Sequence, residues 1–156
     1  MSERDWDKYF LNVCKAVSEN SKCLSRKIGV IIVRDRSIIS TGYNGPARGI
    51  EHCENRNPNK EMACPRRLMG YASRQGMEYC PATHAEVNAI VNTARNGICI
   101  KGSTMYMTCP IPCKNCLTNI LNSGIIELVV GSMTDYDLLA KELIGQSGIR
   151  VREYNI

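Results

Sequence analysis

Two short segments constrain this chain more than anything else in it: His84-Ala85-Glu86 and, beyond a short apolar stretch, Pro112-Cys113-Lys114-Asn115-Cys116. Cysteines three apart share one helix face, and a proline just ahead of them marks where such a helix starts. Their thiols then sit at the positive end of the helix, where the dipole and unpaired N–H groups lower thiol pKa values and metal binding completes the deprotonation. One imidazole and two thiolates give zinc three ligands and leave the fourth tetrahedral position for water, as a catalytic site requires. His84 and Glu86 are two apart and would diverge on a regular helix. His84 therefore belongs in an opening turn, its ring reaching past the helix end while Glu86 points into the cleft. A fold for this sequence has to bring two helix starts together.

Two plainer readings compete. Thr83-His84-Ala85-Glu86 has the form of a capping box, but that leaves the cysteines unexplained. Cys113 and Cys116 alone are half of a structural zinc knuckle, which needs two more ligands. From Thr83 to Ile111 the chain offers only Cys99 and Cys109 for that purpose. In the open-site reading, zinc lowers the pKa of its bound water to about 7, and Glu86 serves in turn as base and acid. A glutamate buried there without a role would be costly.

At 156 residues with 44% hydrophobic content, the expectation is one domain across 1–156 with a substantial core. Met1 to Phe10 is dense in charge, and the longest apolar run, Ile28 to Val33, is too short for a signal-peptide core or a membrane span. A cytoplasmic protein with no membrane partner is expected. Nine cysteines without an export signal argue for reduced thiols and metal ligation over a disulfide framework. The net charge of +5 suits phosphorylated partners, although ordinary soluble domains share it.

Periodicity sets out the elements. Trp6, Tyr9, Phe10, Val13, Cys14 and Val17 recur at helical spacing, so an amphipathic helix opens the chain and ends near Asn20. Ile28 to Val33 reads as a strand buried on both faces, with Ser37 to Tyr43 as its hairpin partner across Arg34-Asp35-Arg36. Asn44 to Pro81 breaks the pattern with repeated turn signals and a weak helical segment around Arg67 to Ala72. Loops of this length are usually functional or tied down. From His84 the order is helix to Asn96, strand Thr104 to Met107, helix Cys113 to Asn122, strand Ile126 to Val130, helix Tyr136 to Gln146 and strand Val151 to Tyr154. Strands joined through helices run parallel by right-handed crossovers, whereas the first pair is antiparallel. The expected architecture is an α/β sandwich on a mixed five-stranded sheet.

The pattern H-x-E…P-C-x-x-C is that of zinc-dependent nucleobase deaminases. Four further segments are more specific: Ser21 to Gly29, Ile38 to Gly45, His84 to Ile90, and Ala94-Arg95-Asn96-Gly97. Together they resemble deoxycytidylate (dCMP) deaminases over nearly the whole chain. The resemblance implies a three-layer α/β/α cytidine-deaminase-like fold and hydrolysis of dCMP to dUMP and ammonia, feeding thymidylate synthesis. It also implies a homo-oligomer, often a hexamer, activated by dCTP with Mg2+ and inhibited by dTTP. Carried over to this sequence, His84, Cys113 and Cys116 hold zinc and Glu86 is catalytic. Asn44 resembles the group that bonds the sugar hydroxyl, while Ser21, Lys22 and Arg26 are candidates for the 5′-phosphate. Tyr136 resembles the aromatic that closes over substrate; Tyr43, Gly45 and Arg95 resemble effector and interface positions.

This sequence departs from the family pattern in two places. Thr108-Cys109-Pro110-Ile111-Pro112-Cys113 is one residue longer than the usual spacing ahead of the ligands. The second departure is the cysteine set of the 44–81 loop. Some family members carry a second, structural zinc held partly by cysteines matching Cys23 and Cys53, and here Cys64 and Cys80 are placed to complete a tetrathiolate. Buried free cysteines are the plain alternative. Two other function classes fit less well. A nucleic-acid editing deaminase needs an aromatic-rich surface, and aromatics are only 6% of this chain, so no nucleic-acid partner is expected. A catalytically inert zinc module would not need Glu86.

Overall fold

A strand with apolar residues at every position needs cover on both faces, and Val30-Ile31-Ile32-Val33 has it. In the computed structural model, which describes residues 5–155, the chain runs α1 (Trp6–Ser18), β1 (Gly29–Arg34), β2 (Ser37–Tyr43), β3 (Gly45–Pro46), α2 (Pro65–Leu68), β4 (Ala82–Thr83) and α3 (Ala85–Arg95). It continues through β5 (Thr104–Met107), α4 (Lys114–Asn122), β6 (Glu127–Val130), α5 (Leu138–Ser147) and β7 (Arg150–Glu153). The main sheet has the order β2-β1-β5-β6-β7. β1 is antiparallel to both its neighbours, whereas β5, β6 and β7 are mutually parallel. This is the mixed five-stranded sheet the sequence predicts.

Side-chain alternation sorts the core into two clusters. Val30, Ile32, Met105, Met107, Leu128 and Val130 face the side covered by α3, α4 and α5. Ile31, Val33, Tyr106 and Val129 face α1, which supplies Phe10, Leu11 and Cys14. The result is three layers, with α1 alone on one face. On that face Arg152 bonds Asp7 at 2.7 Å and Glu127 at 3.2 Å, while the Tyr106 hydroxyl donates to Asp7 at 2.7 Å.

Two glycines permit close helix–sheet contact. A Cβ on Gly29 would lie 2.0 Å from the Cys14 carbonyl oxygen, and one on Gly42 would lie 2.4 Å from both Ala85 O and Ala89 N. Gly42 therefore lets α3 rest on β2. Side chains then staple the pair: Ser40 Oγ donates to Ala89 O at 2.7 Å, Asn88 Nδ2 to Tyr43 O at 2.8 Å, and Asn92 Nδ2 to Thr41 O at 2.8 Å.

The 44–81 segment differs most from its sequence reading. It holds three short 3-10 turns and α2, and its β3 pairs in a two-residue ladder with β4, which follows it. The helix lies at Pro65–Leu68 instead of Arg67 to Ala72. Pro65 suits a first helical position, and Gly70 at φ 81 stops the turn soon after. No helix among the described residues is long and apolar enough to cross a membrane.

Candidate active site

Both ligand-bearing segments are helix starts. His84 is the N-cap of α3, with extended backbone at φ −65 and ψ 151. Cys113 is the N-cap of α4, and Cys116 lies in the first turn of that helix. Neither side chain makes a capping hydrogen bond, and both face the space between the two N-termini. The capping box does not form. His84 Nδ1 lies 3.2 Å from Cys116 Sγ and 3.6 Å from Cys113 Sγ, and the three donor atoms fall within 4.8 Å of one another. Nitrogen and sulfur ligands at tetrahedral zinc are roughly 3.6 Å apart, from bonds of about 2.1 and 2.3 Å. The donor set therefore fits zinc.

The three donors are coupled through their protons, which zinc would displace because it binds thiolate and neutral imidazole. Hydrogen bonds from the Cys116 thiol and from His84 draw the Cys113 thiol down to about 4. Cys116 keeps its proton against the Cys113 sulfur, and the same sulfur favours a protonated His84. Glu86, one residue inside α3, is 4% exposed. Burial raises its pKa, and its Oε2 has no hydrogen-bond partner among the described residues. Cys109 Sγ approaches Oε1 at 3.9 Å, its own thiol held neutral by burial. Cys109 lies in the segment between β5 and α4, which brings a thiol beside the carboxylate.

His84, Glu86, Cys109 and Cys113 line the floor of a cavity of about 380 Å³, within the roughly 300–1,000 Å³ typical of small-molecule sites. Arg26, Asn44 and Tyr136 line it. The Asn44 amide spans the 26–28 segment, donating to Arg26 O and accepting from Ile28 N, each at 2.8 Å. Ser21 and Lys22 are not among the lining residues. Ser21 is fully buried, donating to Asn44 O at 2.8 Å, so its hydroxyl shapes the loop instead of facing the cavity. Lys22 is exposed.

Tyr43 and Gly45 sit together at the end of β2, beside His52. Arg95 is exposed in the last turn of α3. Cys23 and Cys80 line the cavity, Cys53 opens a 3-10 turn, and Cys64 is the buried N-cap of α2. Cys53 is raised first by burial and then by the neighbouring Cys64, Cys80 and Cys23. Cys53 feels the other three electrostatically, but among the described residues only His84, Cys113 and Cys116 gather as a metal-binding group.

Sequence reasoning missed Asp137 and the arginines of the loop. Asp137 caps α5, accepting from Ala140 N at 2.7 Å, and also accepts from Lys114 N, the first amide of α4, at 2.9 Å. The expected helix from Tyr136 thus begins at Leu138, leaving Tyr136 on the cavity wall. Arg66, Arg67 and Arg74 join Arg26 around the same space.

A closed structural zinc site has no use for a buried carboxylate above its ligands. An open donor set beside one, under a cavity, defines a hydrolytic metalloenzyme. Residues 4–132 match the family model for the cytidine and deoxycytidylate deaminase zinc-binding region. The deoxycytidylate deaminase of Mycobacterium phage D29 is 38% identical over 136 residues, covering 83% of this chain and 96% of the relative. That of Schizosaccharomyces pombe is 30% identical over 150 residues and 96% of this chain, which spans 44% of the longer yeast protein. In fold, the chain is similar to the dCMP deaminase of cyanophage S-TIM5 in complex with dCMP and dUMP, at TM-score 0.75 and 22% identity over 99% of this chain and 100% of that one. The chain belongs to the cytidine and deoxycytidylate deaminase family.

Proposed function

We propose that this protein hydrolyses dCMP to dUMP and ammonia, supplying a precursor of thymidine nucleotides. The observation that carries the reading is the juxtaposition of the His84, Cys113 and Cys116 donors with Glu86 at the floor of an arginine-lined cavity. Similarity to the phage D29 deoxycytidylate deaminase along almost its whole length supports the substrate. Zinc held by the three donors would supply an acidified water as the nucleophile.

The chain's own residues do the rest. Glu86, buried and with Oε2 available, accepts the nucleophile's proton and delivers it to N3 of cytosine, then takes the proton of the new C4 hydroxyl and passes it to the 4-amino group, which leaves as ammonia. Burial favours the protonated carboxyl, which suits the acid half of this cycle. Asn44 on the wall meets the sugar, and Tyr136 covers the pyrimidine. Arg26 is close enough to act electrostatically on His84 and Glu86, and it offers a guanidinium to the 5′-phosphate.

The same proposal includes regulation by dCTP with Mg2+ as activator and dTTP as inhibitor, in a homohexamer, with Tyr43, Gly45 and Arg95 at the effector boundary. Its support is the likeness of those residues to the family pattern. A second zinc on Cys23, Cys53, Cys64 and Cys80 is also proposed, on the proximity of the four thiols. Nine free cysteines suit a reducing cytoplasm. Ammonia release from dCMP, CMP, deoxycytidine, dCTP and cytosine-containing oligonucleotides tests the substrate, with dCMP expected to be preferred. A preference for oligonucleotides would replace this reading with an editing activity. Sigmoidal dCMP saturation that becomes hyperbolic with dCTP and Mg2+ is the expected sign of regulation.

A further inference from the structure

Four arginines and a single carboxylate line the cavity, and the carboxylate is Glu86 at its floor. The four guanidinium groups are not equivalent. Arg66 donates from Nε to Gln75 O at 2.6 Å and from Nη2 to Ala72 O at 2.8 Å. Arg67 donates to Leu24 O at 2.8 Å, tying the 44–81 segment to the 21–26 segment. These two arginines are engaged in holding backbone. Arg66 grips the chain on both sides of Arg74, and Arg74 itself stands at φ 68, a left-handed conformation that costs a non-glycine residue energy.

That strained position holds Arg74 over the Tyr136 ring, 4.7 Å from its centroid. Arg74 makes no hydrogen bond or ion pair to another described residue, and its side chain is exposed. An exposed cation–π contact is weak, whereas a guanidinium–phosphate pair forms shorter, charge-assisted and often bidentate bonds. An arriving phosphate therefore outcompetes the ring for this guanidinium.

Resting on the dCMP reading of this site, we infer that Arg74 is a specificity-determining residue that recognises the substrate's 5′-phosphate. Tyr136 is its parking place in the free protein. When the phosphate takes Arg74 from the ring, Tyr136 is released to cover the pyrimidine, so one event both selects the nucleotide and closes the site. Arg66 serves as the clamp that keeps the 72–75 turn set for this exchange.

The test compares the wild type with Arg74→Gly and Arg74→Lys, using dCMP and deoxycytidine as substrates. Glycine suits the left-handed position, so Arg74→Gly removes the guanidinium while relieving backbone strain and folds. The kcat/KM ratio of dCMP to deoxycytidine is expected to fall roughly 10- to 100-fold in Arg74→Gly, mainly through KM for dCMP, with Arg74→Lys between the two. Calorimetric binding of inorganic phosphate gives a readout independent of turnover and is expected to weaken by a similar factor. A wild type that ignores dCMP yet binds phosphate through Arg74 would overturn the dCMP assignment alone. An unchanged substrate ratio, or phosphate affinity equal in wild type and Arg74→Gly, would overturn the role of Arg74 and leave that assignment standing.

Discussion

Asp137 Oδ2 accepts the Lys114 amide at 2.9 Å while Oδ1 caps α5 through Ala140 N at 2.7 Å. One carboxylate thus ties the start of α5 to the start of α4, the helix that carries Cys113 and Cys116. Asparagine keeps one acceptor oxygen where aspartate has two. Asp137→Asn is expected to retain the α5 cap and lose the Lys114 bond, at about 1 kcal/mol of stability. Asp137→Ala loses both, at about 2 kcal/mol. Supporting bonds behind a metal ligand typically govern affinity by roughly 10- to 100-fold, and zinc competition titration of Asp137→Asn should show a loss of that order. Wild-type zinc affinity in both variants would remove Asp137 from the site.

Gly42 fixes the other half of the ligand set. A methyl there meets α3 backbone at 2.4 Å, with no flexible side chain to yield. Gly42→Ala is expected to cost about 1–3 kcal/mol and to lower turnover per bound zinc, because His84 and Glu86 move with α3. Gly145 in α5 has open space around its Cβ position, so Gly145→Ala should stabilise by about 0.5–1 kcal/mol. Chemical denaturation of both variants checks the contrast.

The ion-pair network on the α1 face makes a pH-dependent contribution. The Arg152 guanidinium, against a smaller opposing effect of burial, holds the Asp7 carboxyl below the ordinary carboxylate range. A carboxylate with a depressed folded-state pKa stabilises the fold in full above its unfolded value, and the gain is lost as pH falls through the folded value. Asp7→Asn should therefore cost about 1–3 kcal/mol at neutral pH, and the gap to wild type should close below about pH 4. A gap independent of pH between neutrality and strong acid would contradict this.

Zinc content decides the role of the loop thiols. More than one zinc per chain is expected by elemental analysis, with Cys64→Ser lowering that count and the melting temperature while the His84 site stays loaded. One zinc per chain in the wild type would leave Cys23, Cys53, Cys64 and Cys80 as free thiols.

What the sequence made legible is local. His84, Glu86, Cys113 and Cys116 announce themselves because each lies within a turn of a helix start, where neighbours in sequence determine direction. The strands showed because Val30 to Val33 is apolar throughout and the flanking helices carry their own stop signals. The 44–81 segment stayed opaque because its 3-10 turns are too short to have a period, and Gly70 ends α2 before its helical pattern develops. Asp137 and Arg74 were invisible for a different reason. Their partners, Lys114 and Tyr136, lie far away in sequence and meet them only after the chain has folded. Ser21 was read for its chemistry, yet its hydroxyl is taken by the Asn44 carbonyl.

On the dCMP reading, Glu86 is the group that moves protons while other residues hold the metal. The most direct measurement is turnover of dCMP per bound zinc in Glu86→Gln, which preserves shape and removes the acid–base group. Positioned acid–base groups contribute roughly 10²- to 10⁴-fold. A loss of at least that lower order is expected, with zinc content equal to wild type. Activity within a few-fold of wild type at full zinc occupancy would contradict it.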